Sequence, residues 1–244
     1  MTSAAPLLLT SLLLTLLPLS SNAQSYCASD GQPRPVQLLE RFINADCDSC
    51  WTDPATPRPD TGAIALDWIV PGAKGDDAPL AAAASRDALA RLQALRQPPP
   101  ARTSAASHRV KGLPGSSLRV AHGLALGDYL GASIELKPIP KAAQGRPWTA
   151  WLALVETLPA GTEGSPVARN LVRNLFQPNW DGRKPLSKTE QNRFFEQRSM
   201  RIAPGVDASR LRVIGWLENQ TGQVVAAAAS RCLPQNENEK PEQS

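Results

Sequence analysis

Two short segments of the chain carry the dense apolar pattern of buried strands. They cover residues 36–43 and 63–70, and turn-forming residues follow each of them at 44–46 and 71–72. Three prolines and Gly62 lie between the two segments and exclude a long helix there. We therefore predict two strands joined by an irregular loop.

A helical pattern follows the second strand. Apolar residues recur near helical spacing over residues 78–96, and Asp76 or Asp77 is suitably placed to cap the helix. Three consecutive prolines at 98–100 end the pattern. Strand, loop, strand and helix together are typical of an α/β layer arrangement.

The composition changes over residues 97–117, which are rich in Pro, Ala, Ser and Gly and predict a semi-rigid linker. Beyond it, short apolar segments separated by Gly, Pro and Asn favour an antiparallel sandwich. These segments are residues 118–121, 131–136, 148–156, 199–202, 211–218 and 224–229. Residues 167–176 suit a strand or a helix.

The amino terminus has the pattern of an export signal. An apolar run at residues 7–20 precedes Ser-Asn-Ala at 21–23, which predicts a signal peptide over residues 1–23, although no Lys or Arg precedes the run. A membrane anchor is the alternative, but the run is short and Pro18 interrupts it. We expect no membrane span after signal removal, and a periplasmic or secreted protein.

The charge pattern argues against nucleic-acid binding. The formal net charge is +4, basic and acidic residues interleave, and aromatic residues make up only 5% of the chain. No dense cationic stripe is present to follow a phosphate backbone. We expect no nucleic-acid partner.

All four cysteines lie after the predicted signal, at positions 27, 47, 50 and 232. An even number in an oxidising compartment favours two disulfides, and four cysteines allow three pairings. The simplest pairing joins Cys47 to Cys50 and Cys27 to Cys232. The second bridge has a structural role and ties the two ends of the mature chain together.

The Cys47-Asp48-Ser49-Cys50 segment also has the spacing of a redox site. Cys47 would attack a disulfide of a partner protein, and Cys50 would resolve the mixed disulfide. The carboxylates of Asp46 and Asp48 oppose a Cys47 thiolate, since like charges raise a thiol pKa. A permanent Cys47–Cys50 disulfide therefore remains the alternative. A metal site on this pair lacks further ligands, and we expect neither a metal nor a cofactor.

Other candidate residues have structural explanations. His122 with Asp128 lacks a nucleophile motif nearby, which favours a structural histidine. Trp51 and Trp68 suit either a substrate groove or the core, and the scarcity of aromatic residues favours the core. The polar residues at 169–173 suit a ligand patch, a solvated face or a salt-bridged edge.

The segment 38–50 resembles secreted bacterial thioredoxin-like proteins of domain-of-unknown-function family 1223. Their pattern is a strand with a Glu and a Phe, then a polar turn into Cys-x-x-Cys, and Glu40, Phe42, Cys47 and Cys50 match it. Family members have Pro after the second Cys, where this chain has Trp51. Weaker likenesses follow at 65–68, 86–91, 151–154, 169–173 and 180–182.

This resemblance implies a short α/β thioredoxin-like amino-terminal domain and an antiparallel, β-sandwich-like carboxy-terminal domain. The domain layout that we predict is therefore signal peptide 1–23, thioredoxin-like domain 24–100, linker 101–117, β-rich domain 118–234 and disordered tail 235–244.

Two functional hypotheses follow for the exported protein. The first is thiol–disulfide exchange with thiols or disulfides of partner proteins through Cys47 and Cys50. The second is a non-catalytic binding or assembly protein whose disulfides are structural. The resemblance does not supply an established activity, and the sequence leaves enzymatic function open.

Overall fold

The computed structural model describes residues 27–143, 147–181 and 192–232. The predicted signal peptide and the predicted carboxy-terminal tail lie outside the described residues.

The described residues form thirteen strands and one α-helix. In chain order the elements are β1 (Cys27–Ala28), β2 (Gln37–Asn44), β3 (Ala63–Val70), α1 (Arg86–Ala94), β4 (Thr103–Arg109), β5 (Ser117–Leu126), β6 (Tyr129–Lys137), β7 (Pro147–Leu158), β8 (Arg169–Phe176), β9 (Asn179–Asp181), β10 (Phe194–Arg201), β11 (Leu211–Glu218), β12 (Val224–Ala229) and β13 (Arg231–Cys232). No helix in this part of the chain has the length and apolar character needed to cross a membrane.

The larger sheet has eight strands and combines both halves of the chain. Its order is β12-β11-β7-β8-β3-β2-β4, with β9 paired to β7. Strand β3 is parallel to β2 on one side and to β8 on the other, where Asp67 pairs with Leu171. The remaining pairs are antiparallel.

The smaller sheet has five strands in the order β10-β6-β5-β1-β13, and all of its pairs are antiparallel. It packs on the β7–β11 part of the larger sheet around Val120, Ile134, Leu152, Leu154 and Val213. On the other face of the larger sheet, a second core surrounds Trp68, Trp151 and Trp216 and includes Ala88 and Leu92 of α1. The two sheets form a β-sandwich-like arrangement.

The predicted fold class was wrong, because the described chain contains no α/β thioredoxin-like domain. Such a domain needs helices on the faces of its own sheet. Here α1 has only nine residues. Strands β3 and β8 come from the two predicted domains and pair within one sheet, which is covered in part by a second sheet.

Two segments differ from their predicted secondary structure. The predicted linker contains β4, which pairs with β2 along seven residues. The predicted helix over 78–96 begins only at Arg86, because Ser85 has extended backbone and its hydroxyl accepts a hydrogen bond from the Asp87 N–H. Residues 63–70, 211–218 and 224–229 form strands with the predicted bounds.

Gly215 of β11 lets the two sheets approach closely. A Cβ at this position would lie 2.5 Å from Val120 Cγ1 and 3.0 Å from Ile134 Cδ1. We expect Gly215→Ala to lower the free energy of unfolding by about 1–3 kcal/mol through overpacking, as measured by urea unfolding. Gly131→Ala in β6 is the control, since no heavy atom lies within 4 Å of its added Cβ. Equal stability of the two variants would contradict this account of Gly215.

Candidate functional site

Strand β2 places adjacent charged side chains on opposite faces of the larger sheet. Side chains alternate along a strand, so Glu40 points toward the core beneath α1 and Arg41 points the other way. Both residues are buried. Because a buried charge is stable only when it is paired and hydrogen-bonded, each face needs its own counter-charge.

Asp67 of β3 is the counter-charge for Arg41 and also for Arg169 of β8. Arg41 Nη2 lies 2.7 Å from Asp67 Oδ2, and Arg169 Nη1 lies 2.9 Å from Asp67 Oδ1. The backbone N–H of Asn170 donates a further hydrogen bond to Asp67 Oδ2 at 3.0 Å. One buried carboxylate thus holds two buried guanidinium groups.

The same arginines fix the irregular segment that follows the cysteine pair. Arg169 Nη2 donates to the carbonyl oxygen of Trp51 at 2.8 Å, and its guanidinium carbon lies 4.6 Å from the centroid of a Trp51 ring. Arg41 Nη1 donates to the carbonyl oxygen of Pro57 at 2.9 Å. The ion-paired cluster therefore holds residues 51–57 in place through two of their backbone carbonyl oxygens.

Cys47 and Cys50 form a disulfide and are 8% and 2% exposed. Residues 48–50 make a single 3-10 turn, and no α-helix begins at Cys47. The bridge belongs to a small apolar cluster with Ile43, Ile69 and Leu171. The pair is thus part of the core that lies beside the carboxyl ends of β2 and β3.

Asp46, which was predicted to oppose a Cys47 thiolate, has a structural role as a hydrogen-bond acceptor for a neighbouring loop. Its carboxylate accepts hydrogen bonds from the backbone N–H groups of Ala73, at 2.8 Å, and Lys74, at 3.2 Å. Gly72 makes this approach possible, since a Cβ there would lie 2.3 Å from Asp46 Cγ. Asp46 joins the loop after β2 to the loop after β3.

A cavity of about 250 Å³ adjoins the disulfide. Its walls include Arg41, Cys50, Thr56, Ser104 and Arg169, together with Asp53, whose carboxylate accepts a hydrogen bond from Ala55 N–H. One buried donor of these walls, Arg41 Nε, has no partner among the described residues. The cavity therefore offers a hydrogen-bond donor that the protein leaves unused.

A second buried charge cluster lies on the opposite face of β2. Arg91 of α1 contacts Glu40 Oε2 and Glu218 Oε1, each at 2.7 Å. Its guanidinium carbon lies 5.0 Å and 5.2 Å from the ring centroids of Trp151 and Trp216, whose indole N–H groups both donate to Glu218. Burial raises the pKa of Glu40, but the charge and hydrogen bonds of Arg91 outweigh it and hold that pKa below its usual value.

The structure brings together some predicted residues and assigns others to the core. It contains the two expected bridges, Cys47–Cys50 and Cys27–Cys232. Trp51 and Trp68 are buried in apolar clusters. Within 169–173, the first residue is a buried ion-pair partner and the last pairs with Glu156.

The roles of Asp67 and Arg91 were missed by sequence reasoning. A signal for Asp67 existed, since it is a single charged residue inside the apolar run 63–70. Such a residue needs a buried partner. One of its two partners, Arg169, comes from β8, more than a hundred residues later, and no local pattern reveals that pairing.

No family model matches the chain, and no curated protein matches it. The resemblance to family 1223 therefore stays a prediction. Among solved structures, the chain is similar to HBP35 of Porphyromonas gingivalis, with 12% sequence identity and a TM-score of 0.49 over 86% of this chain and 79% of that chain. A similarity of this size carries no argument about function.

The two disulfides indicate an oxidising environment outside the cytoplasm.

Proposed function

We propose that this is an exported, non-catalytic binding protein, which holds a small anionic ligand in the cavity beside the Cys47–Cys50 disulfide. The observation that carries the proposal is the buried Arg41 side chain, which lines the cavity and whose Nε–H has no partner among the described residues. Buried donors are normally satisfied, so an unused one at a cavity wall favours a ligand with acceptor oxygens.

The environment of the cysteines supports a structural disulfide. A nucleophilic cysteine is accessible and is usually activated by a helix amino terminus or a nearby cation. Cys47 is largely buried, and the 3-10 turn after it contains only three residues. A non-catalytic role follows from this geometry better than thiol–disulfide exchange does.

The chemistry of the cavity favours a carboxylate. Hydrogen bonds between a guanidinium and a carboxylate are strong because both groups are charged, and Arg41 Nε supplies such a donor. Asp67 balances only one of the two positive charges of Arg41 and Arg169, so this ion-paired cluster keeps a positive charge beside the cavity. Asp53 in the cavity wall disfavours ligands with several negative charges.

The size of the cavity limits the ligand. Its volume of about 250 Å³ is below the roughly 300–1,000 Å³ that is common for drug-sized ligands. A ligand with one carboxylate and a short carbon skeleton fits this space. The predicted signal peptide and the two disulfides support binding outside the cytoplasm, in the periplasm or the medium.

Calorimetric titration of the mature protein with acetate, propionate and lactate, and with the matching neutral amides, tests the proposal. We expect at least one acid to bind more tightly than its amide. Ala105 lines the cavity and is paired in register with Arg41, so its side chain lies on the Arg41 face of the sheet. Ala105→Leu should fill the cavity and abolish that binding, while Ser107→Leu on the same face of the same strand should retain it because Ser107 does not line the cavity. Equal binding of acids and amides, or unchanged binding by Ala105→Leu, would contradict the proposal.

An insulin-reduction assay tests the non-catalytic part. We expect the mature protein and its Cys47→Ser/Cys50→Ser variant to give the same low rate, because the buried bridge lacks an activated thiol. Turnover by the mature protein that is lost in the double variant would instead support the exchange hypothesis.

A further inference from the structure

Three potential metal ligands lie in one row across the edge of the smaller sheet. Cys232 of β13 is paired in register with Cys27 of β1, and Cys27 is paired in register with His122 of β5. The two sulfur atoms and one imidazole nitrogen all lie within 4.8 Å of one another. Three adjacent strands thus bring three ligand atoms to one point.

His122 has the orientation that metal-binding histidines adopt. The side chain is 4% exposed, and its Nδ1 lies 2.9 Å from the carbonyl oxygen of Gly123, which makes Nδ1 the protonated donor. Nε2 is then an unprotonated acceptor, and it is buried with no partner among the described residues. A backbone carbonyl that fixes one ring nitrogen while the other is free is typical of histidine ligands.

We infer that the reduced form of this protein binds a thiophilic cation, Zn²⁺ or Cu⁺, through Cys27, Cys232 and His122. Two thiolates and one imidazole form a ligand set that suits these ions. The disulfide and the metal-bound form are alternative states of the same three residues. This site is distinct from the cavity beside the other disulfide.

The chemistry balances with a thiol or phosphine as the reductant. Reduction breaks the S–S bond, and the two sulfurs take up two electrons and two protons to form thiols. The electrons come from two reductant thiols, which become a disulfide, or from a phosphine, which takes oxygen from water and becomes a phosphine oxide. Cation binding then releases both protons as the thiolates coordinate. Zn²⁺ neutralises the two thiolates and Cu⁺ leaves one negative charge, and His122 supplies a third ligand without adding charge.

The test uses the mature Cys47→Ser/Cys50→Ser variant, so that the only thiols are those of the proposed site. After reduction by a phosphine without oxygen, the protein is titrated with Co²⁺. We expect thiolate-to-Co²⁺ charge-transfer absorption that saturates at one equivalent and disappears when Zn²⁺ displaces Co²⁺. The oxidised protein should show no such absorption.

A histidine variant tests the third ligand. His122→Asn retains a donor for the Gly123 carbonyl oxygen and removes Nε2. We expect it to weaken Zn²⁺ binding by the reduced protein at least about tenfold, the scale on which the surroundings of a metal site affect affinity. His108→Asn, in the larger sheet, is the matched control and should bind Zn²⁺ as the parent does.

Three results would overturn the inference. They are no charge-transfer absorption in the reduced protein, equal absorption in the oxidised protein, and unchanged Zn²⁺ affinity in His122→Asn. If reduction alone unfolds the chain, circular dichroism decides, because Zn²⁺ should restore the β-sheet spectrum in the parent. Failure of Zn²⁺ to restore that spectrum would equally overturn the inference.

Discussion

Arg91→Met is expected to lower the free energy of unfolding by about 3–5 kcal/mol at neutral pH, since removing one partner leaves buried charges uncompensated. Methionine keeps most of the side-chain volume but leaves the carboxylates of Glu40 and Glu218 without their shared cation. The loss also removes the guanidinium that packs against two tryptophan rings. Urea unfolding followed by tryptophan fluorescence measures the effect.

The deficit should shrink as the pH falls. In the parent, Arg91 holds the pKa of Glu40 below its usual value. The pair therefore contributes its full stability at pH values above that usual pKa, and the contribution is lost as the pH falls through the pKa of the folded protein. In Arg91→Met, burial, which is the largest influence on Glu40, raises its pKa, and only the weaker contact with His108 opposes it. The variant therefore gains stability when acid protonates the carboxyl, and the two stabilities converge.

Arg86→Met, an exposed residue of the same helix, is the matched control. It should change stability by less than about 0.5 kcal/mol, as most surface substitutions do. An Arg91→Met protein as stable as Arg86→Met at neutral pH would show that the buried ion pairs contribute nothing net to folding. A deficit that grows in acid would contradict the role assigned to Glu40.

Asp67→Asn should cost a similar amount, about 3–5 kcal/mol, because two buried guanidinium groups lose their common counter-charge. The asparagine is nearly isosteric and still offers an oxygen to the Asn170 N–H. The effect therefore reports charge rather than volume. Chemical denaturation at neutral pH measures it.

Asp60→Asn provides the control for this change, since Asp60 is an exposed aspartate. A further consequence distinguishes the role of Asp67. Arg41 and Arg169 hold the backbone of residues 51–57 through the carbonyl oxygens of Trp51 and Pro57, so hydrogen exchange in that segment should rise in Asp67→Asn. If both variants match the parent in stability and exchange, Asp67 does not organise the site.

Local patterns predicted the strands well. The apolar run at 63–70 has the bounds of β3, and the runs at 211–218 and 224–229 have those of β11 and β12. These strands are buried on one or both faces, which makes their sequences dense in apolar residues. The β4 strand was missed because its sequence, Thr-Ser-Ala-Ala-Ser-His-Arg, is small and polar and lies at the edge of the sheet.

Local patterns did not predict which strands pair across the two halves of the chain. A strand, a Cys-x-x-Cys turn and a second parallel strand resembled a thioredoxin-like unit. The parallel pair exists between β2 and β3, yet the next partner of β3 is β8 from the far half of the chain. Such long-range pairing leaves no local pattern in the sequence, since its stabilisation comes from contacts formed only in the folded sheet.

For the candidate site, the sequence by itself determined the positions of the cysteines and the presence of charges inside apolar strands, and it predicted an oxidising destination. Only the tertiary structure decided that Cys47 and Cys50 are buried beside a cavity, and that Arg41 and Arg169 share Asp67. The physical reason is that reactivity depends on burial and on neighbouring charge, and both are properties of residues distant in the chain. For the same reason, the sequence does not show that Cys27, Cys232 and His122 come together, because they are far apart in the chain and meet only across three strands of the fold.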